Sequence, residues 1–136
     1  MAIKHKASDG STFTELAIRS RYAKSLRHKH QGEPWPPNCE GCEERAAVDN
    51  SHIVAKARCK QLHKVELIWD PENYFNACRI CHHNWESFKS GQFIHLKNFE
   101  TCMIFLKQHD PESFEKRMIV LETLTLDKDV EAIGNE

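Results

Sequence analysis

The stretch NYFNACRICHHNWESF, residues 73–88, runs a CxxC pair straight into two histidines. Its first pair of thiols, Cys78 and Cys81, has a counterpart in Cys39-Glu40-Gly41-Cys42, with 35 residues between the two motifs. Two intervening residues let the chain turn tightly enough for both sulfurs to reach one ion at about 2.3 Å, and two such pairs close a tetrahedral shell. The pattern predicts a structural Zn2+ held by Cys39, Cys42, Cys78 and Cys81. Gly41 is expected to relieve backbone strain in the first turn, and the second pair falls at a helix start, where unpaired N–H groups favour thiolate charge. A closed shell of four thiolates has no open position for a substrate, so any chemistry must come from other residues.

Working outward, the chain of 136 residues is long enough for one small core with appended helices. With 40% hydrophobic residues and a mean hydropathy of -0.64 it has little apolar surface to spare, and a metal cross-link would help it hold together. The opening MAIKHKASDG carries no charged-then-apolar leader, and no apolar run approaches the roughly 18 residues of a membrane span. The expectation is a cytoplasmic protein with no membrane partner, where thiols stay reduced and paired CxxC motifs act as metal ligands. Net charge is -1, but its distribution is uneven. Lys4, Lys6, Arg19, Arg21, Lys24, Arg27 and Lys29 load the first 30 residues, whereas the tail after residue 120 is acidic. Either run alone reads as solvated surface; together they suggest a basic face that can meet a phosphate backbone.

Three segments follow. Residues 1–38 comprise a basic helix and a Pro-rich linker: Thr14 or Ser11 can cap the helix, and Phe13, Leu16, Ala17, Ser20 and Ala23 recur at helical spacing before QGEPWPPNC breaks it. Residues 39–90 hold both cysteine pairs, a strand around Ala46 to Ile53, a long connection that turns at Asp70-Pro71, and a helix over Arg79 to Lys89 that Gly91 should stop. Residues 91–136 form a helical extension. Leu96, Phe99, Met103 and Leu106 make one stripe; Asp110 caps the next helix, with Pro111 at its first position, and the last ten or so residues are expected to fray. Phe93, Phe99, Phe105 and Phe114 offer apolar area for a homodimer, Cys102 falls near the apolar stripe, and Trp69 and Trp85 are expected to pack against the cysteines.

The order CxxC, His52 within NSHIV, Asn73, then CxxC-His82 resembles the HNH, or His-Me finger, endonuclease family over about residues 39–89. The zinc-knuckled phage recombination endonucleases look nearest, and for a phage-encoded chain the compartment would be the host cytoplasm. The resemblance implies an α+β fold: a small zinc-stabilised ββα-metal core flanked by N-terminal and C-terminal helices. It also implies a metal-dependent DNA endonuclease acting on duplex or branched DNA. By position His52 is the general base that deprotonates water, Asn73 orients that base by hydrogen bonding, and His82 binds the catalytic divalent metal. Histidine suits the base because its ordinary pKa of about 6.5 lets it accept a proton near neutral pH. Glu86, one helical turn after His82, matches a position where some members carry a second metal-binding histidine; a carboxylate there favours a hard ion, Mg2+ or Mn2+.

Ser51 is a departure, because many members have Asp or His immediately before the base as a metal ligand. That leaves His82, with Asp49 or Glu86, to hold the ion. Arg58, Lys60, Lys64 and Arg79 are expected to join the N-terminal helix in phosphate contacts. Two rival readings are a zinc-knuckle nucleic-acid-binding or assembly module without cleavage, for which Ser51 speaks, and a redox protein using its CxxC thiols.

Overall fold

The computed structural model describes residues 3–134, with side chains described through Thr125. Among these residues the chain forms a small α+β fold of five α-helices and two two-stranded antiparallel sheets. The first sheet pairs β1 (Lys4–Lys6) with β2 (Thr12–Thr14), a hairpin that short polar strands did not announce in the sequence. It leads directly into α1 (Glu15–Lys29), whose N-cap is Thr14, accepting at Oγ1 from the Ala17 N–H. The buried face of α1 differs from the expected stripe. Leu16 is 78% exposed, and the helix instead turns Ile18, Tyr22 and Ser25 inward, at helical spacing.

The second sheet is built from β3 (Asp49–His52) and β4 (Tyr74–Ala77), with Asp49 opposite Ala77 and His52 opposite Tyr74. Between them lies α2 (Lys56–Gln61), in a segment expected to be connection alone, followed by 3-10 turns at Val65–Ile68 and Pro71–Asn73. Asp70 caps the second turn by accepting from the Glu72 N–H at 2.9 Å. α3 (Arg79–Glu86) follows β4 immediately and packs on β3 and β4. It stops earlier than the sequence suggested. A 3-10 turn at Phe88–Ser90 intervenes before Gly91, whose φ of 78° ends the run and whose missing Cβ leaves room for Leu124.

α4 (Phe99–His109) and α5 (Pro111–Gly134) pack against each other, joined by Asp110 alone. The acidic tail expected to fray continues as α5 backbone through Gly134; residues 135 and 136 lie outside the described range. One hydrophobic cluster draws on each segment of the chain, from Ala7 and Ile18 through Val54, Ile68 and Trp85 to Phe93 and Leu106. Phe93 and Phe105 are buried in it, and Phe99 and Phe114 pack against it, so the aromatic area expected to face outward is largely used internally. Among the described residues no helix is long and apolar enough to cross a membrane.

Candidate functional site

Folding brings the four predicted thiols together: the Sγ atoms of Cys39, Cys42, Cys78 and Cys81 all lie within 4.8 Å of one another. Such a sulfur cluster fits one tetrahedral ion, and zinc suits a site of four thiolates. Backbone bonds order the first turn and join it to the second half. The Cys39 N–H donates to Arg45 O at 2.8 Å within the turn, and the Glu40 N–H reaches Asn76 O on β4, also at 2.8 Å. Gly41 is needed for a reason other than the expected relief of strain. A Cβ there would stand 2.9 Å from both Cys81 Cβ and Leu96 Cδ2, so the glycine permits close approach of the first turn to α3.

Arg45 supplies a positive charge to this site, donating from Nε to Cys78 Sγ at 3.2 Å. Burial raises the Cys78 thiol, but the Arg45 guanidinium and the Cys81 N–H outweigh it and bring the pKa down to about 6. Burial pushes Cys81 upward, and its neighbouring sulfurs add to the rise. Cys59 and Cys102 stand apart; both are fully buried, and desolvation pushes each thiol up to about 12. They act as core side chains.

His52 closes β3 and packs between Tyr22 and Tyr74, at ring-centroid distances of 5.1 and 5.6 Å. Its Nε2 lies 2.9 Å from Ile68 O. A carbonyl only accepts, so the proton sits on Nε2 and the Nδ1 lone pair is left available. Burial is the main cause that lowers the His52 pKa to about 4, against the opposing Ile68 bond, with the charges of Lys56, His82 and Lys29 assisting.

Asn73 does not make the expected bond to His52. It is fully buried, and its Oδ1 accepts from the Val54 N–H at 2.8 Å. Its Nδ2 donates to Val54 O at 3.1 Å and to Leu67 O at 2.9 Å. The residue thus ties the exit of β3 to the turn that carries Ile68, and it bears on His52 one step removed.

His82 lies between two carboxylates, with Nδ1 3.1 Å from Asp49 Oδ2 and Nε2 3.0 Å from Glu86 Oε1. Asp49 also meets Arg79 at 3.3 Å. An Asp on one imidazole nitrogen orients the ring, as carboxylates do behind metal-binding histidines. Glu86 and His52 line the same cleft of about 400 Å3, together with Trp85, Arg58, Lys116 and Arg117. Ser51 is 0% exposed, directed into the core, with an Oγ that has no hydrogen-bond partner; it gives nothing to the cleft. His83 is exposed.

Several expected phosphate contacts are occupied within the fold. Arg58 forks onto the buried Asp110, with Nε and Nη2 each 3.0 Å from a carboxylate oxygen. Lys60 pairs with Glu15, and Lys64 donates to His109 O at 2.8 Å. Lys29 turns inward to Pro71 O and to Tyr74. Lys4, Lys6, Arg19 and Arg79 remain outward, as does a row on α1 where Arg21, Lys24, Arg27 and His28 line a groove with Trp69 and Pro71.

Arg45 and Arg117 were not anticipated. Arg117 had a signal in the sequence: it stands three residues after Phe114 and four before Leu121, on the apolar stripe of α5. No protein-family model matches this chain, and neither a curated protein nor a solved structure matches it.

Proposed function

We propose that the protein is a divalent-metal-dependent endonuclease that hydrolyses DNA phosphodiesters, with β3, β4 and α3 serving as the ββα core of a His-Me finger nuclease. The observation that carries this reading is the shared cleft: His52, with its Nδ1 lone pair available, and Glu86, beside His82 Nε2, line one cavity. His82 Nε2 and Glu86 Oε1 fit a divalent ion as donors, because two ligands at about 2.1 Å from one ion stand near 3 Å apart. Such an ion, when bound, supplies positive charge to the phosphate and to the departing 3′ oxygen.

The chain's own groups do the rest. His52 Nδ1 accepts a proton from the attacking water as its oxygen bonds to phosphorus and the P–O3′ bond breaks. The Ile68 carbonyl fixes the tautomer that permits this. Asp49 holds the His82 ring in orientation. The four-cysteine cluster, as a structural zinc site, keeps α3 against the β3–β4 pair, so that Glu86 and His52 line one cleft. The outward cations of α1, Arg19, Arg21, Lys24 and Arg27, are suited to phosphate contacts, which give affinity without sequence choice.

A second reading has a specific observation in its favour. Ser51, buried and facing the core, leaves the cleft without the acidic ligand common before the base, which suits a zinc-knuckle nucleic-acid-binding module without cleavage. Nicking of supercoiled plasmid in Mg2+ or Mn2+ separates the two. The endonuclease reading expects cutting that falls at least about 100-fold in His52→Ala, the usual size of a general-base contribution. A His52→Ala protein that cuts as fast as its parent removes His52 from the mechanism.

A further inference from the structure

Arg117 is 7% exposed, yet no carboxylate among the described residues pairs with it. Its guanidinium stacks on aromatic faces instead, 3.7 Å from the Trp85 ring centroid, 4.6 Å from Phe88 and 5.1 Å from Phe93. One bond ties its edge: Nη1 donates to Trp85 O at 2.9 Å. A guanidinium has five N–H donors in a planar fork. Among the described residues no other hydrogen bond engages the guanidinium, and Arg117 lines the cleft with His52 and Glu86.

A cation held this deeply without a counter-charge is costly unless an anion joins it. Its position says where that anion would sit. Trp85 precedes Glu86 in the chain, and its Nε1 donates to the carbonyl of Ile53, the residue after His52, at 3.1 Å. The side chain that Arg117 stacks on therefore bridges the neighbours of the two residues assigned to hydrolysis. Arg58 and Lys116 line the same cavity, but each is already paired, with Asp110 and Glu112 respectively. Among the described residues, Arg117 is the cation there whose charge has no partner.

We propose that Arg117 binds the phosphodiester of the substrate in the His52–Glu86 cleft, its free guanidinium edge taking the non-bridging oxygens while Trp85 and Phe88 fix its plane. This rests on the nuclease reading above. A fork of parallel N–H donors matches two phosphate oxygens in a way that an ammonium point charge cannot.

The test measures binding apart from cutting. In a His52→Ala background, the affinity for a fluorescent DNA duplex with Mg2+ present is compared for Arg117, Arg117→Lys and Arg117→Met, each checked for zinc content and thermal stability. The methionine variant is expected to bind about tenfold more weakly, with the slope of log affinity against log salt reduced by about one. Lysine should keep the slope but not the affinity. A role confined to aromatic stacking shifts stability alone, so a folded variant with parental affinity and slope overturns the proposal.

Should both variants fail to fold, the parent protein decides. Its Arg117 Nε–H resonance should shift on titration with a 5′-phosphorylated dinucleotide, and an unmoved signal at millimolar ligand overturns the assignment. If the binding effects hold while no divalent ion supports cleavage, Arg117 stands as a phosphate-binding group and hydrolysis falls. If Arg117→Met cuts with unchanged KM and kcat, hydrolysis stands and Arg117 falls.

Discussion

The imidazole of His52 donates from Nε2 to the carbonyl oxygen of Ile68, 2.9 Å away, and this bond determines which ring nitrogen is free. Burial lowers the His52 pKa to about 4, so the ring is neutral throughout the physiological range. The unfolded chain, with a pKa near 6.5, binds this proton more readily than the folded one. Stability contributed by the neutral ring is therefore present above about pH 6.5 and is lost as pH falls toward 4. The span of the shift corresponds to roughly 3 kcal/mol. Urea titrations between pH 4 and 7 should show that slope in the parent and a flatter one in His52→Ala; equal slopes would place the titration elsewhere.

Removing metal from the four-cysteine cluster should unfold the core. The Sγ atoms within 4.8 Å of one another tie the first turn to α3, and structural zinc sites contribute on the order of 10 kcal/mol to folding. One zinc per chain is expected by native mass spectrometry, and Cys81→Ser or strong chelation should abolish the near-ultraviolet circular dichroism signal. Retention of that signal without zinc would make the cluster dispensable.

Gly41→Ala tests how closely the turn and helix approach. The added methyl would stand 2.9 Å from Cys81 Cβ, a backbone-anchored atom with little freedom to retreat. Strain of about 1–3 kcal/mol is expected, appearing as weaker zinc retention in a competition with a chromogenic chelator. Leu96→Ala in the same chain should recover only the part due to Leu96 Cδ2.

Asn73→Ala should destabilise the protein by about 3 kcal/mol, because it strips the Val54 N–H of its acceptor and leaves the Val54 and Leu67 carbonyls only the longer bonds from Cys59 Sγ and the Asp70 N–H. Chemical denaturation measures the loss. The same substitution should lower cleavage through the position of Ile68, with a pH profile altered from the parent; an unaltered profile with lower stability would make Asn73 a scaffold residue alone.

Asp110→Ala combines two losses. The carboxylate takes the forked pair from Arg58 and caps α5 by accepting from the Ser113 N–H at 3.4 Å. Burial acts to raise the Asp110 carboxyl, yet the bonds from Arg58 and Ser113 outweigh it and hold the pKa below the usual range. Its contribution is thus present above about pH 4 and disappears as pH falls further. A loss of about 3 kcal/mol near pH 7 is expected from the broken fork, which leaves Arg58 its weaker contact with Glu112, and from the lost cap. A change below 1 kcal/mol would show the pair to be dispensable.

Features made by residues close along the chain were legible in the order of amino acids. Each CxxC spacing set one pair of thiols, the step from His82 to Glu86 put both on one face of α3, Thr14 was one of two candidate caps for α1 beside Ser11, and Asp110 marked the start of α5. These depend on turn geometry over three or four residues, which residue type largely sets. The remaining features depend on contacts between residues far apart in the chain. The partner of His52 is a backbone carbonyl, and every residue has one, so no letter marks Ile68. Asn73 met Val54 rather than His52 because a fully buried amide must satisfy all its donors and acceptors at once, wherever the nearest backbone groups fall. Arg117 reached the cleft through the packing of α5 on Trp85, a long-range arrangement fixed by the fit of the whole core.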